Sequence, residues 1–202
     1  KTRVLVYRVA YLIEHGVDPE SILLMTFTNR AADEMKKRAE GMLDERCSRI
    51  TACTYHSFCV QMLRKYGLAI GIDPNFTICT PSDTSDIIGI VKTDLGYNKL
   101  KNFPNSSDIA GIISSAVNTM RSISDVMEDN KYHRYSAYVS EVKELASAYQ
   151  LYKEERQILD YDDMLIKFIR LLHKSPQTKK KISDTYKYIM IDEYQDTNTL
   201  QE

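Results

Sequence analysis

The sequence predicts an α/β fold in which a parallel sheet is interrupted by a long helical stretch. Three patterns carry that expectation. Up to about residue 80, apolar runs of strand length alternate with segments of helical period. From Pro81 to about Leu159 the period is helical and the composition polar. Near the end, a short apolar run stops at two adjacent carboxylates, Asp192 and Glu193. The chain divides on these patterns into residues 1–80, 81–158 and 159–202, and 202 residues with 43% hydrophobic content suffice for one or two compact units with real cores.

A first helix is expected over 3–15, where Val4, Leu5, Val9, Leu12 and Ile13 recur at helical spacing. Lys1 and Thr2 stand just before it. A P-loop ends in Gly-Lys-Ser/Thr at a helix N-terminus: backbone N–H groups cradle phosphates, the lysine reaches the β and γ oxygens, and the hydroxyl binds Mg²⁺. Lys1 and Thr2 match the last two residues of that motif, whose glycine-rich part would lie before the sequence begins. A Lys-Thr pair alone is weak, and its weight comes from the acidic strand end far along the chain.

Next come a strand over 22–28 and a helix over 29–45, with Asn29 or Thr28 as its cap and Met35, Ala39 and Met42 as its inner stripe. The pattern repeats as a strand over 50–54 and a helix over 56–70, followed by a short strand from Phe76 to Cys79. Both strand ends put hydroxyls and an aromatic on one rim of the sheet: Thr26, Phe27, Thr28 and Asn29, then Thr54, Tyr55, His56 and Ser57. Aromatic faces stack on any base, and hydroxyls and backbone amides hold phosphates, which suits single-stranded nucleic acid. Taken singly, Phe27 and Phe58 read as core, and Thr28 and Asn29 as caps.

In the helical stretch, Ser82 or Asp83 is the expected cap for an inner face of Ile87, Ile88, Val91 and Leu95. Pro104 to Asp108 breaks the pattern and caps a helix from Ile109 to about Met120. From about His133 to Gln157, Tyr138, Val142, Leu145, Tyr149 and Tyr152 form a heptad-like stripe, read as the core of a helical subdomain. Asp160, Asp162 and Asp163 then open a helix carrying Leu165, Phe168, Ile169 and Leu172, and acids in a first turn complement the helix dipole. Ile189, Met190 and Ile191 read as a strand buried on both faces. Ligands bind beyond the carboxyl ends of such strands, where Asp192 and Glu193 fall. Asp192 suits Mg²⁺, which takes one or two carboxylates, and Glu193 is free to polarise an attacking water.

A net charge of −1 argues against a protein that grips nucleic acid by bulk basicity. The basic runs at Arg30, Lys36, Lys37 and Arg38 and at Lys179 to Lys181 read as solvated faces. Cys47, Cys53, Cys59 and Cys79 contain no metal-binding spacing; Cys53 and Cys59 read as buried thiols, which points to a reducing, cytoplasmic compartment. The sequence holds no signal peptide and no apolar run of membrane-spanning length, so no membrane partner is expected. His15, His133 and His173 read as surface residues.

Taken in order, Lys-Thr-Arg, Thr-Phe-Thr-Asn-Arg-Ala-Ala-Asp-Glu-Met, Thr-Tyr-His-Ser-Phe, Leu-Asp-Tyr-Asp-Asp-Met-Leu and Ile-Asp-Glu-Tyr-Gln-Asp-Thr-Asn resemble the UvrD/PcrA/Rep family of superfamily-one DNA helicases over essentially the whole chain. The resemblance implies a RecA-like P-loop NTPase sheet with an inserted all-helical subdomain, part of an ATP-driven motor that walks 3′ to 5′ on single-stranded DNA and opens duplex junctions. By the same resemblance, Lys1 and Thr2 are the P-loop lysine and Mg²⁺ hydroxyl, Asp192 is the Mg²⁺ carboxylate and Glu193 activates water. Gln195 and Asp196 help to sense nucleotide, and Arg3 lies near it. Thr26 to Asn29 and Thr54 to Ser57 are the DNA-contacting stretches. The P-loop glycines, an upstream adenine-recognising glutamine motif and a second RecA-like domain with arginine fingers are absent from the sequence, so it is expected to be a motor-domain fragment, inactive alone.

Two rival readings compete. A metal-dependent nuclease also uses strand-end carboxylates but needs several converging acids. A catalytically silent helical binding module would need none of these motifs. Neither accounts for all five in order.

Overall fold

The structure, a computed structural model, describes residues 2–201. The expectations for Lys1 lie outside the described residues. The chain runs α1 (Thr2–Glu14), β1 (Ile22–Thr26), α2 (Asn29–Met42), β2 (Thr51–Thr54), α3 (Tyr55–Tyr66), β3 (Thr77–Ile78) and α4 (Pro81–Asp94). It continues through α5 (Ser106–Thr119), α6 (Ile123–Met127), α7 (Val139–Glu155), β4 (Ile158–Leu159), α8 (Tyr161–Lys174), α9 (Pro176–Thr185) and β5 (Tyr188–Ile191). Two compact units result. One takes the chain up to Gly71 with Lys167–Thr197 and Gln201; the other takes Ile72–Ile166 with Asn198–Leu200.

The first unit is built on a parallel sheet of order β2-β1-β5. All five residues of β1 are buried. Side chains alternate across a strand, so Ile22 and Leu24 share a face, and they pack with Val6, Val9, Leu12 and Ile13 of α1 and Met35 and Ala39 of α2. Each such fully buried aliphatic side chain contributes about 1.5–3 kcal/mol. On α3, Phe58 is core as read from the sequence, edge-on to Phe168 at 5.7 Å and to Tyr186 at 5.5 Å.

Several local expectations need correction. β5 was expected to be buried on both faces, yet among the described residues it pairs only with β1, and Ile189 is 59% exposed. β1 stops at Thr26, two residues early, because Thr28 turns to cap α2 by accepting from the Ala31 N–H. Thr28 rather than Asn29 is therefore the cap. The helix expected to run to residue 70 ends at Tyr66 and continues as a 3₁₀ turn to Ile70. α9, a polar segment capped by Ser175, has no counterpart in the expectations, and its Lys179, Lys180 and Lys181 are exposed.

The second unit is mainly helical. Thr80, rather than Ser82 or Asp83, caps α4: its hydroxyl accepts from the Asp83 N–H while the Asp83 carboxylate accepts from the Thr80 N–H, with Pro81 at the first helical position. α5 begins at Ser106, three residues early, behind Asn105. The stretch 133–138 is a 3₁₀ turn, and α7 follows it with Val142, Leu145 and Tyr149 buried, so the stripe is core. β3 does not join the main sheet. It pairs with β4 in a second, two-stranded sheet inside this unit.

Lys153 is the buried charge of this unit. Its ammonium lies 2.5 Å from both Asp160 Oδ2 and Asp163 Oδ2, and the Tyr149 hydroxyl donates to Asp160 Oδ2 at 2.8 Å. The two aspartates also cap each other's backbone N–H groups at the start of α8. Their role is thus more specific than complementing a helix dipole.

Gly111 of α5 sits under Tyr132. A Cβ there would meet the Tyr132 hydroxyl oxygen at 2.6 Å but the ring carbon behind it at 3.7 Å, an ordinary contact. That hydroxyl is itself buried without a partner. Gly111→Ala is expected to cost about 1–3 kcal/mol through overpacking. In a Tyr132→Phe background the same change should be neutral or stabilising, because the clash is gone and alanine favours the helix by up to about 1 kcal/mol. Chemical denaturation of the two single variants and the double variant checks this reversal of sign.

Candidate functional site

The parallel register brings the chemistry-bearing residues of the first unit to one rim. Thr26 of β1 stands beside Thr54 of β2, and Met25 beside Ile191 of β5, so Phe27, Tyr55 and Asp192 all follow the carboxyl ends of neighbouring strands. The Asp192 N–H continues the ladder by donating to the Met25 carbonyl at 2.9 Å. Its main chain is thereby held at the strand end.

Thr2 opens α1 at the same place. Its hydroxyl lies 3.5 Å from Asp192 Oδ2, across 190 residues of sequence. Asp192 is buried, and its Oδ1 has no hydrogen-bond partner. An unpaired buried carboxylate oxygen is costly unless a cation or donor completes it. Glu193, next in the chain, adopts a left-handed backbone at φ 51°, which ends the strand. Gln195 donates its side-chain amide to Glu193 Oε2 within the turn Tyr194–Asp196. Arg3 faces outward and lines a recess of about 310 Å³ with Val6, Arg38, Gly41 and Met42.

The two hydroxyl-rich segments meet beside this pair of acids. Thr54 caps α3 by accepting from the Ser57 N–H and donates to Ser57 Oγ at 2.9 Å; Ser57 in turn donates to Asn29 Oδ1 at 3.3 Å. Phe27 is 42% exposed, so it is not core, and its ring lies 6.0 Å from that of Tyr55. His56 is half-buried on the first turn of α3. Thr26 is a correction: it is buried, and its hydroxyl donates to the Thr28 carbonyl at 2.8 Å, so it shapes the turn under Phe27 and offers no surface for a ligand. Tyr55 is also largely buried, with a hydroxyl that has no partner and a pKa raised by burial and by nearby Tyr194.

Tyr194, more than half exposed at this rim, had not been singled out in the sequence. Its position between Glu193 and Gln195 was the available signal. The cysteines add no chemistry: burial pushes Cys53 up to about 11 and Cys59 to about 12, which keeps both as thiols. Among the described residues no group of three or more His, Cys, Asp or Glu could hold a metal ion by itself, and no helix is long and apolar enough to cross a membrane.

The chain is thus a mixed α/β domain, mostly helical, with a parallel sheet that carries this rim at its carboxyl edge. The chain belongs to the UvrD/REP helicase N-terminal domain family, whose profile matches residues 1–202. It is 37% identical over 203 residues to the ATP-dependent DNA helicase PcrA of Staphylococcus epidermidis strain RP62A, and 36% identical to the protein of that name in Staphylococcus aureus strain NCTC 8325. Each alignment covers 100% of this chain and 27% of the relative, so the chain spans about a quarter of the length of these helicases.

Proposed function

We propose that these residues form the first motor domain of an ATP-dependent DNA helicase that moves 3′ to 5′ along single-stranded DNA and opens duplex junctions. In this reading the sheet-bearing unit makes a RecA-like ATPase core and the helical unit an inserted subdomain, with the boundaries at Gly71/Ile72 and Ile166/Lys167 in place of the expected residues 80 and 158. The observation that carries the proposal is the approach of Thr2 to Asp192 on the rim that also holds Phe27 and Tyr55.

The donor set fits Mg²⁺. A hydroxyl and a carboxylate with one unpaired oxygen are hard oxygen ligands, and Mg²⁺ characteristically takes one or two carboxylates and leaves its other positions to water and phosphate. Thr2 and Asp192 would hold the ion, which supplies neutralisation of phosphate charge. Lys1, next to Thr2, would reach the β and γ phosphates of ATP. Glu193 accepts the proton of the attacking water, and the Gln195 amide holds the carboxylate in place for it. Arg3, which follows Thr2 in the sequence, would lie near the nucleotide.

In this reading a second RecA-like domain, outside these residues, closes over the nucleotide and brings arginine fingers to it. Arginine fingers are worth roughly 10³–10⁵ in rate, so these residues alone should hydrolyse ATP hardly at all. A nuclease is disfavoured because, among the described residues, no third acid joins Asp192 and Glu193 in a group that could hold a metal ion. The cytoplasm, where such a motor meets DNA, is the compartment this reading implies.

Phe27 is the stacking platform of the proposed DNA path. In the intact protein, Phe27→Ala is expected to weaken single-strand affinity by about 1–3 kcal/mol. Fluorescence anisotropy with a labelled oligonucleotide at fixed salt measures it. An unchanged affinity would remove Phe27 from the path and, with it, the proposed route of the strand along this rim.

A further inference from the structure

The polypeptide leaves the sheet-bearing unit immediately after the acidic turn, and Asn198 to Leu200 group with the helical unit. Only five residues, 193–197, lie between Asp192 and Asn198. The intervening turn is tied internally, with the Asp196 N–H donating to the Glu193 carbonyl and the Thr197 N–H and hydroxyl both donating to the Tyr194 carbonyl. Asn198 then engages a relay of side chains. Its amide donates to Asn118 Oδ1 at 2.7 Å, and the Asn118 amide donates to Asp162 Oδ1 at 2.7 Å and to the Ser114 carbonyl at 2.9 Å. Asn198 Oδ1 accepts from the Leu200 N–H, which fixes the orientation of its amide.

This relay has one polarity. Both Asn118 amide protons point at acceptors, Asp162 and Ser114, and its oxygen points at a donor. Flipping the amide would set its oxygen against a carboxylate and a carbonyl, so the orientation is determined by chemistry. Asn118 thus joins the last turn of α5, the first turn of α8 and the tail of the acidic turn.

We propose that Asn118 and Asn198 are positioning residues that couple the nucleotide-dependent state of the Asp192–Thr197 turn to the helical unit. The inference rests on the proposed ATPase reading and extends it. A displacement of Glu193 on nucleotide binding or hydrolysis is passed along a short, hydrogen-bonded segment to Asn198. The relay hands it to the last turn of α5 and the first turn of α8. Neither asparagine touches nucleotide or the reacting water, so their loss acts on communication and not on chemistry.

The test uses the intact protein and three readouts: binding of a non-hydrolysable ATP analogue, turnover without DNA, and stimulation of turnover by single-stranded DNA. Asn198→Ala and Asn118→Ala are each expected to leave the first two within about twofold and to cut stimulation about tenfold, within the usual range of coupling between sites. The double variant should be no worse than either single variant, as members of one relay are non-additive. Asn118→Asp sets a carboxylate against Asp162 and should uncouple as alanine does. Adding Asp162→Asn places a donor opposite that acceptor and should restore stimulation, a rescue that a loss of folding would not allow. Full stimulation in Asn118→Ala and Asn198→Ala would overturn the inference, as would loss of analogue binding in step with stimulation. A wild-type protein whose turnover ignores single-stranded DNA would instead refute the ATPase reading itself.

Discussion

Replacing Glu193 with glutamine in the intact protein is expected to abolish DNA-stimulated ATP turnover while leaving nucleotide binding in place. The substitution keeps the size and shape of the side chain and removes only its capacity to take a proton. General-base catalysis is worth about 10²–10⁴ in rate, and a loss of that order in kcat is the expected result. The Gln195 amide, which now donates to Glu193 Oε2, still finds an acceptor on the substituted side chain, so the turn Tyr194–Asp196 should hold. Single-turnover hydrolysis beside analogue binding separates the two effects. If Glu193→Gln lost binding and turnover equally, Glu193 would be a ligand for the nucleotide and not the group that activates water.

Lys153→Ala should produce the largest loss of stability in the chain. Removing the ammonium leaves Asp160 and Asp163 facing each other in a buried place with no counter-charge, and breaking such a group from one side costs about 3–5 kcal/mol. At roughly 2–4 °C per kcal/mol for a chain of this size, its Tm should fall by about 10 °C. Asp163→Asn removes the excess negative charge and should be far milder. A Lys153→Ala variant that unfolds within about 1 kcal/mol of the parent would mean that water reaches these groups and screens them.

The same group sets an acid response with a definite sign. Burial, and then the charge of Asp160, raise the pKa of Asp163 above the usual aspartate value, so the folded state takes up a proton there before the unfolded chain does. Stability gains from that site as pH falls through the folded value. Asp160 behaves in the opposite way: burial raises its pKa, but the Lys153 ammonium and hydrogen bonds more than offset this and hold it below the usual value. Its contribution is present above the ordinary aspartate range and is lost as pH falls through its lowered folded value.

What could be read in the sequence was local. The stripe Val142, Leu145 and Tyr149 follows from spacing, because a buried face repeats every three or four residues of a helix, whereas caps and element ends were legible only to within two or three residues, as at Thr80 and Thr26. The rim at Phe27, Tyr55 and Asp192 was legible because each strand ends in a change from apolar to polar residues. The exposure of Ile189 was not, since an unbroken apolar run gives no alternation from which to assign an outer face. α9 was missed because its sequence, Pro-Gln-Thr-Lys-Lys-Lys-Ile-Ser-Asp-Thr, has almost no apolar stripe. The pairing of β3 with β4, about eighty residues apart, leaves no periodic trace, and Lys153 resembles any solvated lysine until Asp160 and Asp163 are folded against it.

The central claim is that Thr2 and Asp192, at opposite ends of the sequence, hold one magnesium ion for one nucleotide. Titration of a non-hydrolysable ATP analogue with and without Mg²⁺, in the intact wild-type, Glu193→Gln and Asp192→Asn proteins, tests it most directly. The account predicts that Mg²⁺ tightens binding in the wild-type and Glu193→Gln proteins and has little effect in Asp192→Asn. Undiminished tightening by Mg²⁺ in Asp192→Asn would contradict it.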